Sequence, residues 1–381
     1  MRLIPPVAVP AGGALIAASI LSGSDQAFRE HMIRESGFAR LSFFPSGRAA
    51  LSRVLSRWKR DGRDEVVIPA YTCWSVAASI VRAGLRIRAV DVDPLTLDYH
   101  PGALESACGE RTVAVVAAHL FARTAHTQRI ADAARSCGAS WIDDAAQAIP
   151  FEFTGADAAI LSFGRGKPFA LGGGGALLTG AGGEAQTGSD PRSGGLFAAL
   201  QLILTSWAGR PTWYRLPRAL PFLQIGNTIY NPEFDADAPF YRWQARLGAR
   251  QQLDWATVAA RRSEHARRLM PAVERCPGWA IPARQAVTAG PLRLPVLAPS
   301  RAVRDRTRAL LLKMGVDASV MYPGSIVQIP GIEPHLAGGT DLPGAVELVD
   351  RLMTLPTYPT LAPRDLQRIG DAFVTAVGAE G

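Results

Sequence analysis

The lysine at position 167 stands out because this chain hardly uses lysine. Of its 41 basic residues only Lys59, Lys167 and Lys313 are lysines, so arginine serves wherever a plain positive charge is enough. An amine kept inside the glycine-rich, aromatic run Ser162-Phe163-Gly164-Arg165-Gly166-Lys167-Pro168-Phe169 is a candidate for imine chemistry, which a guanidinium cannot perform. Taken alone, the count is equally consistent with drift. Two further groups add to it. Ile142-Asp143-Asp144-Ala145-Ala146-Gln147 sets two carboxylates after an apolar strand, at the edge where open α/β sheets bind ligands, although a strand-end Asp is as readily a helix cap. Pro45-Ser46-Gly47-Arg48 opens a helix on a glycine turn, which offers N–H groups and the positive end of the dipole to an anion. Ser162 can add a hydroxyl to the same anion. An amine, a carboxylate and an anion cradle on one sheet edge are together what pyridoxal phosphate needs: an imine to lysine, an acid for the ring nitrogen and an anchor for the phosphate.

Other chemistries fail on spacing. Gly164-Arg165-Gly166-Lys167 is not a P-loop, because Leu161 and Pro168 stand where that loop needs Gly and Ser or Thr. The six histidines, at 31, 100, 119, 126, 265 and 335, show no ligand spacing, so no metal is expected. Cys73, Cys108, Cys137 and Cys276 lie far apart, which suits free thiols in a reducing cytoplasm better than a disulfide scaffold or zinc site. The net charge of +8 is spread along the chain among acids, so a nucleic-acid partner is not expected. No apolar run approaches the ~20 residues of a spanning helix. The N-terminus is broken by Pro5, Pro6 and Pro10 and is not read as a signal peptide, so neither export nor a membrane partner is expected.

These groups need elements to position them. Helical spacing over Arg48 to Arg60 precedes the β-branched run Val66-Val67-Ile68, and the rhythm continues with a helix Trp74 to Ala83, a strand Leu85 to Val92, a helix Pro101 to Cys108, a strand Thr112 to Ala118, a helix Thr127 to Cys137 and a strand Ser140 to Asp143. Strands alternating with helices predict a mostly parallel α/β sheet covered on both faces. Ala158 to Ser162 and Ala176 to Thr179 flank the lysine without a full helix between them, so the sheet is expected to turn mixed there. Gly180 to Gly195 is read as a loop. Leu196 to Leu223 is strongly apolar but interrupted by Pro211, Pro217 and Pro221, and is read as neither a clean helix nor a spanning segment. A helical pattern over Phe240 to Leu269, a strand Leu292 to Val296, and helices Val303 to Met314 and Pro363 to Val377 follow. The expected division is a cofactor-binding large domain over 1–235, carrying 196–223 as an insertion, and a smaller C-terminal α+β domain over 236–381.

The order of motifs carries a resemblance. Ser46-Gly47-Arg48-Ala49-Ala50-Leu51, Asp64-Glu65-Val66-Val67-Ile68-Pro69-Ala70-Tyr71-Thr72, Asp91-Val92-Asp93-Pro94, His119-Leu120-Phe121, Asp143-Asp144-Ala145-Ala146-Gln147, Ser162-Phe163 with Lys167, Gly173-Gly174-Gly175-Ala176 and Leu355-Pro356-Thr357-Tyr358-Pro359 together resemble the DegT/StrS-type aminotransferases, fold type I enzymes of pyridoxal phosphate best known for aminating keto sugars on nucleotide carriers. The resemblance implies that Lys167 holds the cofactor as an imine and shuttles the proton, and that Asp144 binds the ring nitrogen. It places Gln147 near the ring and Ser46, Gly47, Arg48 and Ser162 at the phosphate. It further implies a cytoplasmic homodimer moving an amino group from an amino-acid donor such as glutamate to a carbonyl acceptor, a keto sugar or nucleotide-linked keto sugar first. A more apolar carbonyl of secondary metabolism, or a non-catalytic regulatory member, are the alternatives.

The chain departs from the family pattern on the substrate side. Where the family has an aromatic residue on the ring face this chain has Cys73, with Trp74 beside it as the candidate. Ile149-Pro150 replaces a His-Gly pair, Phe240-Tyr241-Arg242 lacks the Asn that often touches the partner's phosphate, and Tyr322-Pro323 leads into Gly324-Ser325-Ile326 rather than Pro-Leu-His. Arg165 or Arg242 is the candidate replacement for that Asn, since an Arg–phosphate pair is charge-assisted. The apolar segment 196–223 is longer than the family's loop there. It is expected to be covered by the partner subunit, with an apolar acceptor or a membrane surface as the other options.

Overall fold

The computed structural model describes residues 2–8, 12–123, 125–148, 154–181, 188, 190–218, 228–252, 254–339 and 341–378. In chain order the elements are α1 Gly13–Leu21, α2 Gln26–Ser36, β1 Arg40–Phe44, α3 Gly47–Trp58, β2 Glu65–Pro69, α4 Trp74–Arg82, β3 Arg86–Val90, α5 Ala103–Ala107, β4 Thr112–Ala118, α6 Thr127–Ser136, β5 Ser140–Asp144, β6 Ala158–Ser162 and β7 Gly175–Thr179. They continue with α7 Leu196–Ala208, α8 Arg215–Arg218, α9 Arg242–Gln252, α10 Trp255–Glu274, β8 Arg293–Leu297, α11 Arg301–Lys313, α12 Pro343–Arg351, β9 Leu352–Pro356 and α13 Pro363–Gly378.

Seven strands form one sheet in the order β1-β7-β6-β5-β4-β2-β3. All pairings are parallel except those of β7, which runs antiparallel to both β1 and β6, as the missing helix between β6 and β7 requires. β2, β4 and β7 are buried along their whole length, which is why they read as unbroken apolar runs rather than alternations. Their side chains still divide by parity. Ala114, Val116 and Ala118 of β4 join one cluster with Val54, Leu55 and Ile80 from α3 and α4, whereas Val115 and Ala117 join Phe28, Ile130 and Leu247 from α2, α6 and α9 on the opposite face. Burying both faces removes most of the strands' apolar surface from water, at roughly 25 cal/mol per Å².

A third cluster, with Leu269, Leu294, Val296, Leu311, Met353 and Phe373, surrounds the β8–β9 pair and α10, α11 and α13. Ile4 belongs to it and bridges Val316, so the N-terminal strand-like segment lies against this C-terminal cluster. The chain passes between clusters at α10, whose Trp255 packs with the sheet and whose Leu269 does not.

One reading of the sequence is corrected. Residues 196–208 form a regular helix of 13 residues, because Pro211 and Pro217 lie beyond its end and Leu, Ala and Gln are strong helix formers. It starts at Gly195 in the left-handed region, φ 76°, where a Cβ would sit 2.6 Å from the Tyr241 ring. Residues 219–223 of the segment, like Ile149 and Pro150, lie outside the described residues.

Candidate active site

β5 carries Asp143 and Asp144 to the carboxyl edge of the sheet, and strand alternation sends their side chains to opposite faces. Asp143 is fully buried. His119, which follows β4, accepts from the Ala125 N–H at Nδ1 (3.1 Å), so its Nε2–H donates to Asp143 Oδ1 at 2.8 Å. The Thr154 hydroxyl donates to the other Asp143 oxygen. A fully buried carboxylate with both oxygens engaged is a structural anchor tying the ends of β4 and β5 together.

Asp144 has a different environment. Its Oδ1 accepts the Ala146 N–H at 3.1 Å. Burial pushes its carboxyl above the usual aspartate range, opposed by the positive charge of Lys167, by the Ala146 N–H and by His119. The structure therefore brings Lys167 within electrostatic reach of Asp144, across a sheet edge and 23 residues along the chain. Lys167 sits on a turn whose N–H donates to Gly164 O at 3.2 Å. Gly166 in that turn has φ +74°, and a Cβ there would lie 3.1 Å from Val7.

The third part is the start of α3. Ser46 is the N-cap and its hydroxyl accepts the Ala49 N–H at 3.1 Å, which commits that side chain to the helix. The Gly47 and Arg48 amides of the first turn have no intrahelical acceptor. A Cβ on Gly47 would stand 3.3 Å from both Leu161 O and Ser162 Cβ, so the helix start is pressed against the end of β6. One on Gly164 would stand 3.9 Å from Ser162 Oγ and 4.0 Å from Lys167 Cγ. Ser162 thus lies between the helix N-terminus and the lysine. These residues fit pyridoxal phosphate: a positive helix end and a hydroxyl for the phosphate, an amine for the imine, and a deep carboxyl for a protonated ring nitrogen.

The remaining candidates are placed as follows. Gln147 is buried, accepting the Phe121 N–H at 3.3 Å and donating from Nε2 to the Tyr322 hydroxyl at 2.9 Å. Phe121 and Ala122 hold left-handed φ of 55° and 62°, a strained turn beside the site. Trp74 opens α4 and donates its indole N–H to Gly324 O at 3.0 Å. The Arg48 guanidinium lies over the Phe234 ring, 5.1 Å from its centroid, leaving its backbone toward the cradle. Arg165 is exposed and acts electrostatically on Tyr214, and Arg242 Nε faces Pro191 O (3.3 Å) and Asp25 (3.8 Å). Among the described residues no cluster of His, Cys, Asp and Glu could hold a metal. Tyr322 was missed as a neighbour of Gln147, since the two are 175 positions apart and no local pattern joins them.

The profile of the DegT/DnrJ/EryC1/StrS aminotransferase family matches residues 25–196 and 240–374. The chain belongs to this family. Among its relatives, a pleiotropic regulatory protein of Geobacillus stearothermophilus is 40% identical over 92 residues, covering 24% of this chain and 25% of the relative. The L-glutamine:2-deoxy-scyllo-inosose aminotransferase of Streptomyces kanamyceticus is 34% identical over 146 residues, 38% of this chain and 34% of the relative. These matches therefore span only a quarter to a third of the relatives' length. The fold extends further: PseC of Helicobacter pylori, an aminotransferase involved in the biosynthesis of pseudoaminic acid, superposes with a TM-score of 0.77 over 99% of this chain and 100% of that one, at 16% identity. In the family's frame all of Lys167, Asp144, Ser162 and the α3 start lie inside the matched stretch 25–196.

Proposed function

We propose that this chain is a pyridoxal-phosphate-dependent aminotransferase that takes an amino group from an amino-acid donor, glutamate first, and passes it to a keto sugar, free or nucleotide-linked. The observation that carries the reading is that Lys167 lies within electrostatic reach of Asp144, with Ser162 between the lysine and the start of α3. The family's relatives named for inosose and pseudoaminic acid support a sugar-type acceptor.

Bound pyridoxal phosphate supplies an electron sink for the pair left when a Cα–H bond breaks. The residues do the rest. Lys167 would hold the cofactor through its Nζ and, once freed by the donor amine, would take the proton from the donor's Cα and return it to the carbon on the far side of the imine nitrogen. Asp144 would keep a proton on the ring nitrogen, and that cationic partner would draw its carboxyl back toward the ionised form. The Gly47 and Arg48 amides and Ser162 Oγ would hold the phosphate, with Arg165 or Arg242 as a further contact, while Trp74 and Gln147 would border the ring. The smaller part of the chain, from about residue 236, closes the site with Tyr322. The working unit is proposed to be a cytoplasmic homodimer.

Borohydride reduction of the purified yellow protein, followed by peptide mapping, tests the reading. A pyridoxyl group on Lys167 is expected. Its recovery on Lys59 or Lys313, or the absence of bound cofactor at saturating pyridoxal phosphate, overturns it.

A further inference from the structure

Two thirds of the large apolar side chains left exposed gather in one region. Of twelve such residues among the described ones, Leu21 at the end of α1 and Leu196, Phe197, Leu200, Leu204, Trp207, Trp213 and Leu216 lie in two stretches of the chain at exposures from 42 to 83%, while Leu95, Ile229, Leu312 and Val346 lie elsewhere. The two stretches touch: the Cβ position of Gly13 in α1 is 3.6 Å from Ile203 of α7, and Leu3 N–H donates to Pro211 O at 3.0 Å. On α7 the exposed positions 196, 197, 200, 204 and 207 fall within one ~100° arc, opposite the buried Ala199, Leu202 and Ser206. Trp207 and Trp213 stack at 4.5 Å at the end of this face. Contiguous apolar patches on soluble monomers are rarely larger than a few hundred Å² and mark interaction sites when they are; seven of these eight side chains lie on α7 and the turn and helix that follow it.

The charge around the face is of one sign. Between Asp190 and Glu233 the sequence holds no acid and four arginines, Arg192, Arg210, Arg215 and Arg218, and no acid precedes Asp25. All four arginines are exposed. Asp317, reached by Arg218 Nε at 3.2 Å and by the Tyr214 hydroxyl at 2.9 Å, is the carboxylate that meets this group from the C-terminal part. The family match covers 25–196 and resumes at 240, so α1, α8 and all but the first residue of α7 lie outside the matched stretches.

We infer that α1, α7 and α8 form a docking surface for an anionic lipid bilayer, on which the enzyme lies with α7 in the plane of the headgroups. Arginines bordering a Trp/Phe/Leu face suit anionic headgroups above an acyl boundary. A second copy of this chain on the same face would set arginine against arginine, and Asp317 is already paired with Arg218. At 13 residues α7 is about 20 Å long, short of the ~30 Å of hydrocarbon it would need to span. No helix among the described residues is long and apolar enough to cross a membrane. The face adjoins the candidate site: Leu202 packs at 3.3 Å from the Cβ position of Gly172, and Val7 covers Gly166 beside Lys167. Docking would hold the cleft's rim at the bilayer.

The test is co-sedimentation of the full chain with vesicles of phosphatidylglycerol and phosphatidylcholine, against vesicles of phosphatidylcholine alone. Wild type is expected to bind the anionic vesicles at least tenfold more tightly, less so as salt rises. The triple variant F197S/L200S/L204S should lose tenfold or more, with its mass by light scattering and its borohydride label on Lys167 unchanged. Brominated lipid should quench tryptophan fluorescence in wild type and much less in W207F/W213F. Equal binding to both vesicle types, or no binding, overturns the inference. So does a triple variant that falls to a smaller oligomer while still binding vesicles, which makes the face a subunit interface. Because labelling of Lys167 is read on soluble protein, failure of docking and failure of the aminotransferase reading are separate results.

Discussion

Gln147 Nε2 donates to the Tyr322 hydroxyl at 2.9 Å, joining the edge of the seven-stranded sheet to the C-terminal part of the chain. Both residues are buried, and Gln147 also accepts the Phe121 N–H. Removing the hydroxyl in Tyr322→Phe strands a buried amide donor, which costs about 1–3 kcal/mol. Urea unfolding should show that loss. In a double-mutant cycle with Gln147→Leu, which itself costs the acceptor of the Phe121 N–H, the double variant should be less destabilised than the sum of the singles, because neither side chain of the pair is then left facing a missing partner. Additive losses would mean that the two side chains do not act as a pair.

Asp143 and Asp144 should fail in different ways when each is changed to alanine. Asp143→Ala leaves the Nε2–H of the buried His119 without its acceptor, and a stranded buried donor costs about 1–3 kcal/mol. Its Tm should fall while the folded fraction still retains cofactor. Asp144→Ala should melt near wild type, retain pyridoxal phosphate poorly and slow the donor half-reaction at least 100-fold, followed by stopped-flow absorbance. The reverse pattern would exchange the two roles.

The raised pKa of Asp144 predicts a pH dependence of the cofactor-free protein. Burial places its folded value above the ordinary ~3.9 of an unfolded aspartate, so between those two values the folded state binds the extra proton. Its contribution to stability is complete below the unfolded pKa and is lost as pH rises through the folded one. Chemical denaturation of the apoprotein across this acidic window should show a falling component in wild type that Asp144→Asn lacks. Saturation with pyridoxal phosphate should flatten it, because a protonated ring nitrogen favours the carboxylate.

Lys167→Arg separates charge from imine chemistry. The guanidinium keeps a positive charge near Asp144 but cannot form an imine. The variant should bind pyridoxal phosphate without borohydride labelling and lose the half-reaction by at least 1000-fold, while thermal melting stays near wild type. A labelled variant would place the imine at Lys59 or Lys313.

Most of the candidate site was legible in the sequence as a proposal because its parts are short and local. Lys167 with Ser162, and Asp144 at the end of an apolar strand, each need only five or six residues to be seen, and the parallel sheet then brings them together. β2 and β4 were legible for the same reason, as buried runs stopped by Pro69 and His119. What could not be read locally depends on distant partners. β1 pairs with β7, which begins more than 130 residues later, and β9 is held by β8, so their five-residue patterns carry little signal alone. The prolines after Ala208 hid α7, since their position relative to the helix end decides whether they break it or follow it.

Gly175 offers a steric test of the phosphate cradle. A Cβ there would stand 2.3 Å from Gly47 N, 2.6 Å from Ser46 C and 2.7 Å from Gly47 Cα, and backbone atoms cannot swing aside as a side chain can. Gly175→Ala must therefore push the start of α3 away from β7, at a cost of about 1–3 kcal/mol for overpacking. Displacing that helix end moves the Gly47 and Arg48 amides from Ser162, so affinity for pyridoxal phosphate should fall at least tenfold in fluorescence titrations. Gly47→Ala meets Leu161 O and Ser162 Cβ only at 3.3 Å, a contact relieved by shifts of a few tenths of an ångström, and should cost affinity less. If Gly175→Ala loses stability but keeps its affinity, the phosphate is held elsewhere than at the start of α3.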